Sequence, residues 1–285
     1  MWLPPSSPPC QPPDDGVLVH GLRWEVRVRG EGEPLLLLHG FTGRGTAWGG
    51  HVAAFAERFR VIVVDLPGHG RSGIGEPWRM TVEQAADDLD TILSRLGAVP
   101  AHVLGYSLGA RIALQLAVTH PDDVARLVLE SPSAGLATAA KRVARRAADE
   151  ALAGRLERDG IEAFVDEWER QPIFASHADL PARTRAQQRA IRLSNSPAGL
   201  AASLRGAGQG SMEPLHGRLQ AVEAATLVIA GALDEGGLPR AEQVARGIPG
   251  ARLAVVDAAG HTPHDERPAP FRRLALEFLQ EVPAA

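Results

Sequence analysis

Three side chains able to move a proton between them stand just beyond apolar runs in this chain: Ser107, Asp234 and His261. Ser107 lies in Val103-Leu104-Gly105-Tyr106-Ser107-Leu108-Gly109-Ala110-Arg111. The run before it reads as a buried strand and Ile112 to Ala117 as a helix, so Gly105-x-Ser107-x-Gly109 fits a sharp strand-to-helix turn. Small residues two positions either side of such a serine let the backbone pass close to its neighbours. The helix that follows aims its N-terminal amides at charge developing beside the hydroxyl. Asp234 follows the strand-like Thr226 to Ala230, and His261 follows Leu253 to Val256. In this set His261 would accept the Ser107 proton, while Asp234 would fix the imidazole tautomer and stabilise the imidazolium.

Two backbone amides complete the expected chemistry. The amide of Leu108 and one from the Gly-rich loop His39-Gly40-Phe41-Thr42-Gly43, taken as that of Phe41, form the expected oxyanion hole. Other residues compete for roles. Asp257 is nearer to His261 in sequence but ends a strand, and Glu235 adjoins Asp234, so Asp234 is preferred as the acid. His264 follows His261 by one turn and could suggest a metal pair; with no third ligand evident it reads as a loop histidine facing the cleft. His69, in Pro67-Gly68-His69-Gly70, reads as structural. No metal or organic cofactor is expected.

The elements that must position these groups alternate along the chain. Val17–His20 and Trp24–Val28 read as an antiparallel hairpin turning at Gly21-Leu22. Leu35–Leu38, Val61–Val64, Val103–Leu104 and Leu127–Glu130 are continuous apolar runs, as strands covered on both faces should be. Between them lie helical patterns at Ala47–Arg58 and Val82–Leu96, and later at Pro239–Gly247 and Pro268–Leu279. Strand–loop–helix alternation predicts an α/β fold with a mostly parallel central sheet and helices on both faces. Strand patterns stop after Leu136 and resume only after about Gly206. Residues 137–206 are therefore expected to be a helical cap broken at Gly160, Pro172, Pro181 and Pro197, over a core of residues 16–136 and 207–285. Residues 1–15, rich in proline, read as a disordered leader.

Composition narrows the partners. The chain has 285 residues, 45% hydrophobic and 22% charged, with a net charge of −4, which does not point to nucleic acid. The charge is uneven: residues 137–206 hold 12 basic and 9 acidic side chains, a basic insert on a more acidic body. That asymmetry suits a small anionic substrate. Cys10 is the single cysteine, so neither an intrachain disulfide nor a cysteine zinc site is possible. No apolar run reaches the roughly 18 residues of a membrane span, and the start lacks the pattern of a signal peptide. The expectation is a cytoplasmic protein without membrane partners, a monomer or weak homo-oligomer.

The motifs together resemble a known family. Leu38-His39-Gly40-Phe41-Thr42-Gly43, Asp65-Leu66-Pro67-Gly68-His69-Gly70-Arg71-Ser72 and Gly105-Tyr106-Ser107-Leu108-Gly109 resemble the α/β-hydrolase superfamily, whose triads run in the order Ser, Asp, His. Arg111, Glu130-Ser131-Pro132-Ser133-Ala134-Gly135-Leu136, Trp168-Glu169-Arg170-Gln171-Pro172-Ile173-Phe174 and Ile191-Arg192-Leu193-Ser194-Asn195 narrow the likeness. With them the chain is similar to the 2-succinyl-6-hydroxy-2,4-cyclohexadiene-1-carboxylate synthases of menaquinone biosynthesis, over about residues 34–275. The resemblance implies a lyase that removes a ring proton beside a succinyl ketone and eliminates pyruvate from an enolpyruvyl cyclohexene. It also implies that Arg111, Arg145 and Arg192 clamp substrate carboxylates and that Tyr106 and Trp168 shape the pocket. Arginine suits that task because its planar fork grips a carboxylate bidentately. Arg142, one turn before Arg145, competes for the same role. Ala110 departs from a glycine frequent in the family, and Glu235-Gly236-Gly237-Leu238 departs from a basic-aromatic pair. Two other readings stay open: a hydrolase of esters or of carbon–carbon bonds in ring-cleavage products, and a non-catalytic ligand receptor.

Overall fold

A computed structural model describes residues 16–281, so the Pro-rich stretch 1–15 lies outside the described residues. Among the described residues nine strands form, β1 Val17–Val19, β2 Leu22–Trp24, β3 Val26–Arg29, β4 Glu33–Leu38, β5 Phe59–Val64, β6 Ala101–Tyr106, β7 Val124–Glu130, β8 Ala225–Gly231 and β9 Arg252–Val256. Seven of them make one sheet in the order β3-β5-β4-β6-β7-β8-β9. Only its edge strand β3 runs antiparallel, against β5; every other pair is parallel.

The α-helices of the described residues are α1 Gly50–Phe55, α2 Val82–Arg95, α3 Leu108–Thr119, α4 Ala139–Glu169, α5 Ala182–Leu193, α6 Pro197–Ala207, α7 Leu238–Gly247, the single turn α8 Pro263–Glu266, and α9 Pro268–Leu279. Alternate strand residues choose opposite faces of the sheet. Leu36, Ile62, Val103, Leu127 and Val228 pack with α2, α3 and α7. Leu35, Val61, Leu104, Val128 and Ile229 pack with Phe55 of α1 and with Phe271 and Phe278 of α9. Both faces are covered, which accounts for strands apolar at every position.

Two sequence expectations change in detail. The hairpin forms between β1 and β2, but the second arm stops at Trp24 and β3 departs to the main sheet. Glu25 is the joint: its buried carboxylate takes Arg27, and its carbonyl accepts the Asp65 amide. The helix expected over Ala47–Arg58 is a 3₁₀ turn, Gly45–Trp48, followed by the short α1, because Gly49 adopts a positive φ of 47° between them.

Between β7 and β8 the described residues form no strand. α4 kinks at Gly160, where φ is 84°, and a 3₁₀ segment runs from Pro172 to Asp179. α6 begins at Pro197, a position where the missing amide hydrogen costs nothing. These helices carry a small apolar cluster of their own, with Leu156, Phe164, Val165, Leu200 and Leu204, against which Phe41 and Trp168 pack.

Candidate active site

Ser107 caps α3 with a φ of 50° and ψ of −103°, a conformation that non-glycine residues rarely adopt. The surroundings enforce it. A Cβ on Gly105 would lie 2.4 Å from the Gly109 carbonyl oxygen, and one on Gly109 would lie 2.2 Å from that of Leu38. The serine amide donates to the carbonyl of Glu130 at 2.9 Å, tying the turn to β7. Ala110 is fully buried in the helix and tolerates its side chain, since the crowded position is the glycine before it.

Asp234 and His261 reach Ser107 from beyond β8 and β9. Asp234 Oδ2 stands 2.6 Å from His261 Nδ1, and His261 Nε2 stands 3.1 Å from Ser107 Oγ. Burial disfavours charge on Asp234, but the hydrogen bond and charge of His261 and the Gly237 amide outweigh it and hold the carboxyl below its usual value. An ionised carboxylate can only accept, so Nδ1 carries the imidazole proton and Nε2 offers its lone pair to the serine hydroxyl. Of the competing acids, Asp257 and Glu235 are exposed, whereas Asp234 is buried.

The histidine loop is held from three sides. Ser131 Oγ donates to the His261 carbonyl at 2.9 Å. Glu266 accepts the amides on both sides of that residue, Gly260 at 2.7 Å and Thr262 at 3.0 Å. His177, from the inserted helices, meets Thr262 Oγ1 at 2.7 Å.

Leu108, as the first residue of α3, has an amide without an intrahelical acceptor. Phe41 sits in a loop braced by two neutral histidines. His39 Nδ1 donates to the Gly40 carbonyl at 2.8 Å and its Nε2 accepts the Leu66 amide at 2.9 Å. His69 accepts the Thr42 amide at 3.3 Å, and burial pushes its pKa down to about 3. His69 is therefore structural, as its motif suggested. Asn195 joins the same scaffold, donating to the Thr42 carbonyl at 2.8 Å and accepting the Gly70 amide at 2.9 Å.

A cavity of about 490 Å³ opens in front of Ser107. Leu108, Tyr106, Phe41, Arg111, Arg145, Trp168 and His261 line it, so the sequence-predicted residues largely converge. Arg111 is anchored by a 2.7 Å bond to the Ala207 carbonyl; burial, with the nearby charge of Arg145, lowers its pKa to about 10. Arg145 Nε bonds Asp149 Oδ1 at 2.8 Å. Arg142 is turned to the carbonyls of Leu136 and Ala137, so of the two competing arginines only Arg145 faces the cavity. Trp168 stands over Phe41 at 5.2 Å between ring centroids, and its buried indole nitrogen has no hydrogen-bond partner among the described residues.

Arg192 falls elsewhere. It lines an adjoining cavity of about 530 Å³ that shares Tyr106, Phe41 and Phe174 with the first. Its Nη1 pairs with Glu169 at 2.8 Å, and its guanidinium lies 5.5 Å from the Phe174 ring centroid. His264 lines this second cavity too. Expected as a loop histidine facing the cleft, it instead belongs to α8, borders the adjoining cavity and not that of Ser107, and meets Glu130 at 2.9 Å and Asp265 at 3.2 Å. Burial opposes charge on His264, yet Glu130 and Asp265 raise its pKa well above the usual imidazole value.

Several residues of the serine cavity had no role in the sequence reading: Asp149, Arg155, Arg240, Ser131 and Ser133. A signal existed for Asp149, which stands four residues after Arg145 on one helix and so on the same face. Ser131 and Ser133 lay inside a motif already singled out. Arg240 carried no signal, since only the fold brings α7 to the cavity.

Fold and site together define the class of proteins in which a Ser–His–Asp line sits at the carboxyl edge of a parallel sheet. A family model described as the alpha/beta hydrolase fold matches residues 33–268. A Bacillus subtilis protein provisionally named 2-succinyl-6-hydroxy-2,4-cyclohexadiene-1-carboxylate synthase is 36% identical over 269 residues, covering 92% of this chain and 96% of its own. The synthase of that name from Klebsiella pneumoniae is 33% identical over 238 residues, covering 82% of this chain and 89% of its own. The structure of MenH from S. aureus superposes with a TM-score of 0.85 at 35% identity, covering 90% of this chain and 97% of that one. The chain belongs to the α/β hydrolase fold family and, within it, to the 2-succinyl-6-hydroxy-2,4-cyclohexadiene-1-carboxylate synthases. Among the described residues no helix is long and apolar enough to cross a membrane.

Proposed function

We propose that the protein is a lyase of menaquinone biosynthesis. It eliminates pyruvate from 2-succinyl-5-enolpyruvyl-6-hydroxy-3-cyclohexene-1-carboxylate, leaving 2-succinyl-6-hydroxy-2,4-cyclohexadiene-1-carboxylate. One observation carries the reading: Ser107, hydrogen-bonded to His261, shares its cavity with the guanidiniums of Arg111 and Arg145, with Arg155 and Arg240 also on its wall. A base beside several cations suits a substrate with several carboxylates and one acidic ring carbon. In this mechanism Ser107 Oγ gives its proton to His261 Nε2 and takes the ring proton beside the succinyl ketone. The electron pair moves into the ring, the ring double bond shifts, and the bond from ring carbon to enolpyruvyl oxygen breaks. Pyruvate leaves as its enolate and gains a proton. Charge on the ketone oxygen in the transition state meets the amides of Phe41 and Leu108. Asp234 keeps His261 oriented and balances its charge.

Arg111 and Arg145 bind and orient the carboxylates, and Tyr106 and Trp168 set the walls. Arg192 acts from the adjoining cavity across Phe174, close enough for its charge to bear on the Tyr106 hydroxyl. The helices of residues 137–206 serve as the cap over this site, and we place the reaction in the cytoplasm. The test is to supply the enolpyruvyl cyclohexene and follow pyruvate. Pyruvate release well above the spontaneous rate is expected. Release at the spontaneous rate, with turnover of simple esters instead, would assign the site to hydrolysis.

A further inference from the structure

Asp149 is out of place in a cavity built for anions. Its carboxylate is 4% exposed, yet it lines the same space as Ser107, Arg111 and Arg145. Arg145 occupies Oδ1 at 2.8 Å, while the buried Oδ2 has no hydrogen-bond partner among the described residues. Gly208 closes over that oxygen: a Cβ there would stand 2.4 Å from it, so only glycine leaves Oδ2 its space. A buried acceptor without a donor is costly, most of all when it is charged. Its retention in a ligand cavity points to a donor supplied by the ligand.

The substrate offers a single such donor. Its ring carboxylate, succinyl carboxylate, enolpyruvyl carboxylate and ketone are all acceptors when ionised or neutral as expected near pH 7. Only the ring hydroxyl can give a hydrogen bond. We propose, resting on the pyruvate-elimination reading, that Asp149 Oδ2 accepts the hydrogen bond of the substrate's 6-hydroxyl group and makes the site specific for the hydroxylated ring. The same carboxylate aims Arg145 through Oδ1, so one residue sets the position of a carboxylate clamp and reads the neighbouring substituent. The hydroxyl takes no part in the bonds that form or break. Asp149 is accordingly a specificity residue, separate from the proton transfer at Ser107.

The test is a double-mutant cycle between Asp149 and the hydroxyl. Pyruvate release is followed for the enolpyruvyl substrate and for its 6-deoxy analogue, with wild type, Asp149→Ala and the isosteric Asp149→Asn, each checked for an unchanged cooperative melt. A lost charge-assisted hydrogen bond corresponds to roughly 10- to 150-fold in kcat/KM. Wild type is expected to prefer the hydroxylated substrate by that factor, Asp149→Asn by a few-fold, and Asp149→Ala to show almost no preference. Equal kcat/KM for both substrates in wild type, or the wild-type preference retained in both variants, overturns the proposal. So does net proton uptake when the cyclohexadiene product binds, measured by calorimetry in buffers of different ionisation enthalpy and lost in Asp149→Asn. That result would mean a protonated Asp149 donating to a carboxylate. If wild type releases no pyruvate from either compound, the elimination reading itself fails and takes this proposal with it, a result distinct from the others.

Discussion

Asp234 holds His261 Nδ1 at 2.6 Å with one carboxylate oxygen and the Gly237 amide at 2.8 Å with the other. A carboxylate gripped at both oxygens cannot rotate, so the imidazole it orients has one available tautomer. Replacing Asp234 by Asn keeps the size but removes the charge and reverses the donor–acceptor sense at one position. The expected outcome is a fall in kcat on the order of 10³- to 10⁴-fold with KM little changed. Steady-state kinetics checks it; a fall of less than about ten-fold would remove Asp234 from the mechanism.

Ser107→Ala should lose kcat by at least about 10⁴-fold, because the serine and histidine act as one unit. Binding of the cyclohexadiene product, measured by calorimetry, should survive within a few-fold. Persistent pyruvate release in this variant would show that His261 takes the ring proton without the serine.

Arg111→Ala and Arg145→Ala each remove a charge-assisted contact, expected to cost roughly 10- to 150-fold in kcat/KM, mainly as raised KM. Misorientation of the ring would add a smaller loss in kcat. Variants with unchanged KM would leave substrate affinity to groups other than these two.

The crowded and uncrowded positions of the turn should respond in opposite ways. Gly109→Ala places a Cβ 2.2 Å from the Leu38 oxygen. It should destabilise the protein by about 1–3 kcal/mol and displace Ser107, lowering kcat. Ala110→Gly should cost only about 0.5–1 kcal/mol of helix stability and leave kcat nearly intact. Urea denaturation with parallel kinetics separates the two effects.

His264 gives a pH signature. Its pKa is raised in the folded state, so the pair with Glu130 stabilises fully below the ordinary imidazole value of 6.5 and its contribution declines as pH rises from there to the raised value. Glu130→Gln breaks a fully buried pair at an expected cost of about 3–5 kcal/mol. The stability gap between wild type and variant should be full below about pH 6.5, shrink steadily as pH rises from there, and be gone above the raised value. A gap that closed near the ordinary value would contradict the pairing.

The sheet and the Ser–His–Asp line were legible because both obey rules local to the chain. Continuous apolar runs mark strands covered on both faces, and chemistry-bearing residues just past such runs fall at one edge. Arg192 and His264 were not legible in the same way. Arg192 lies inside a motif and His264 three residues past the triad histidine, yet Phe174 and Glu130, distant in sequence, are the partners beside which they settle. The helix expected from Ala47 to Arg58 failed for a local reason, the Gly49-Gly50 pair, which periodicity alone does not weigh. Asp149 lay between the two cases: its spacing from Arg145 was visible, but the empty oxygen beside Gly208 depends on how α4 meets the end of α6.

Phe41 belongs to two bodies at once. Its backbone is part of the loop beside Ser107, and its ring is packed into the apolar cluster of the inserted helices, edge-on to Trp168 and Phe164. Opening those helices by local fluctuation would strip the ring of its packing and release the backbone that carries one of the two proposed amide donors. Hydrogen exchange in α4 and α6 and exchange at the loop amides should therefore share one opening free energy, as members of a single cooperative unit. In evolutionary terms the two segments are not free to diverge separately: a change that reshapes the inserted helices is felt, through one phenyl ring, at the atoms that would stabilise the reacting ketone.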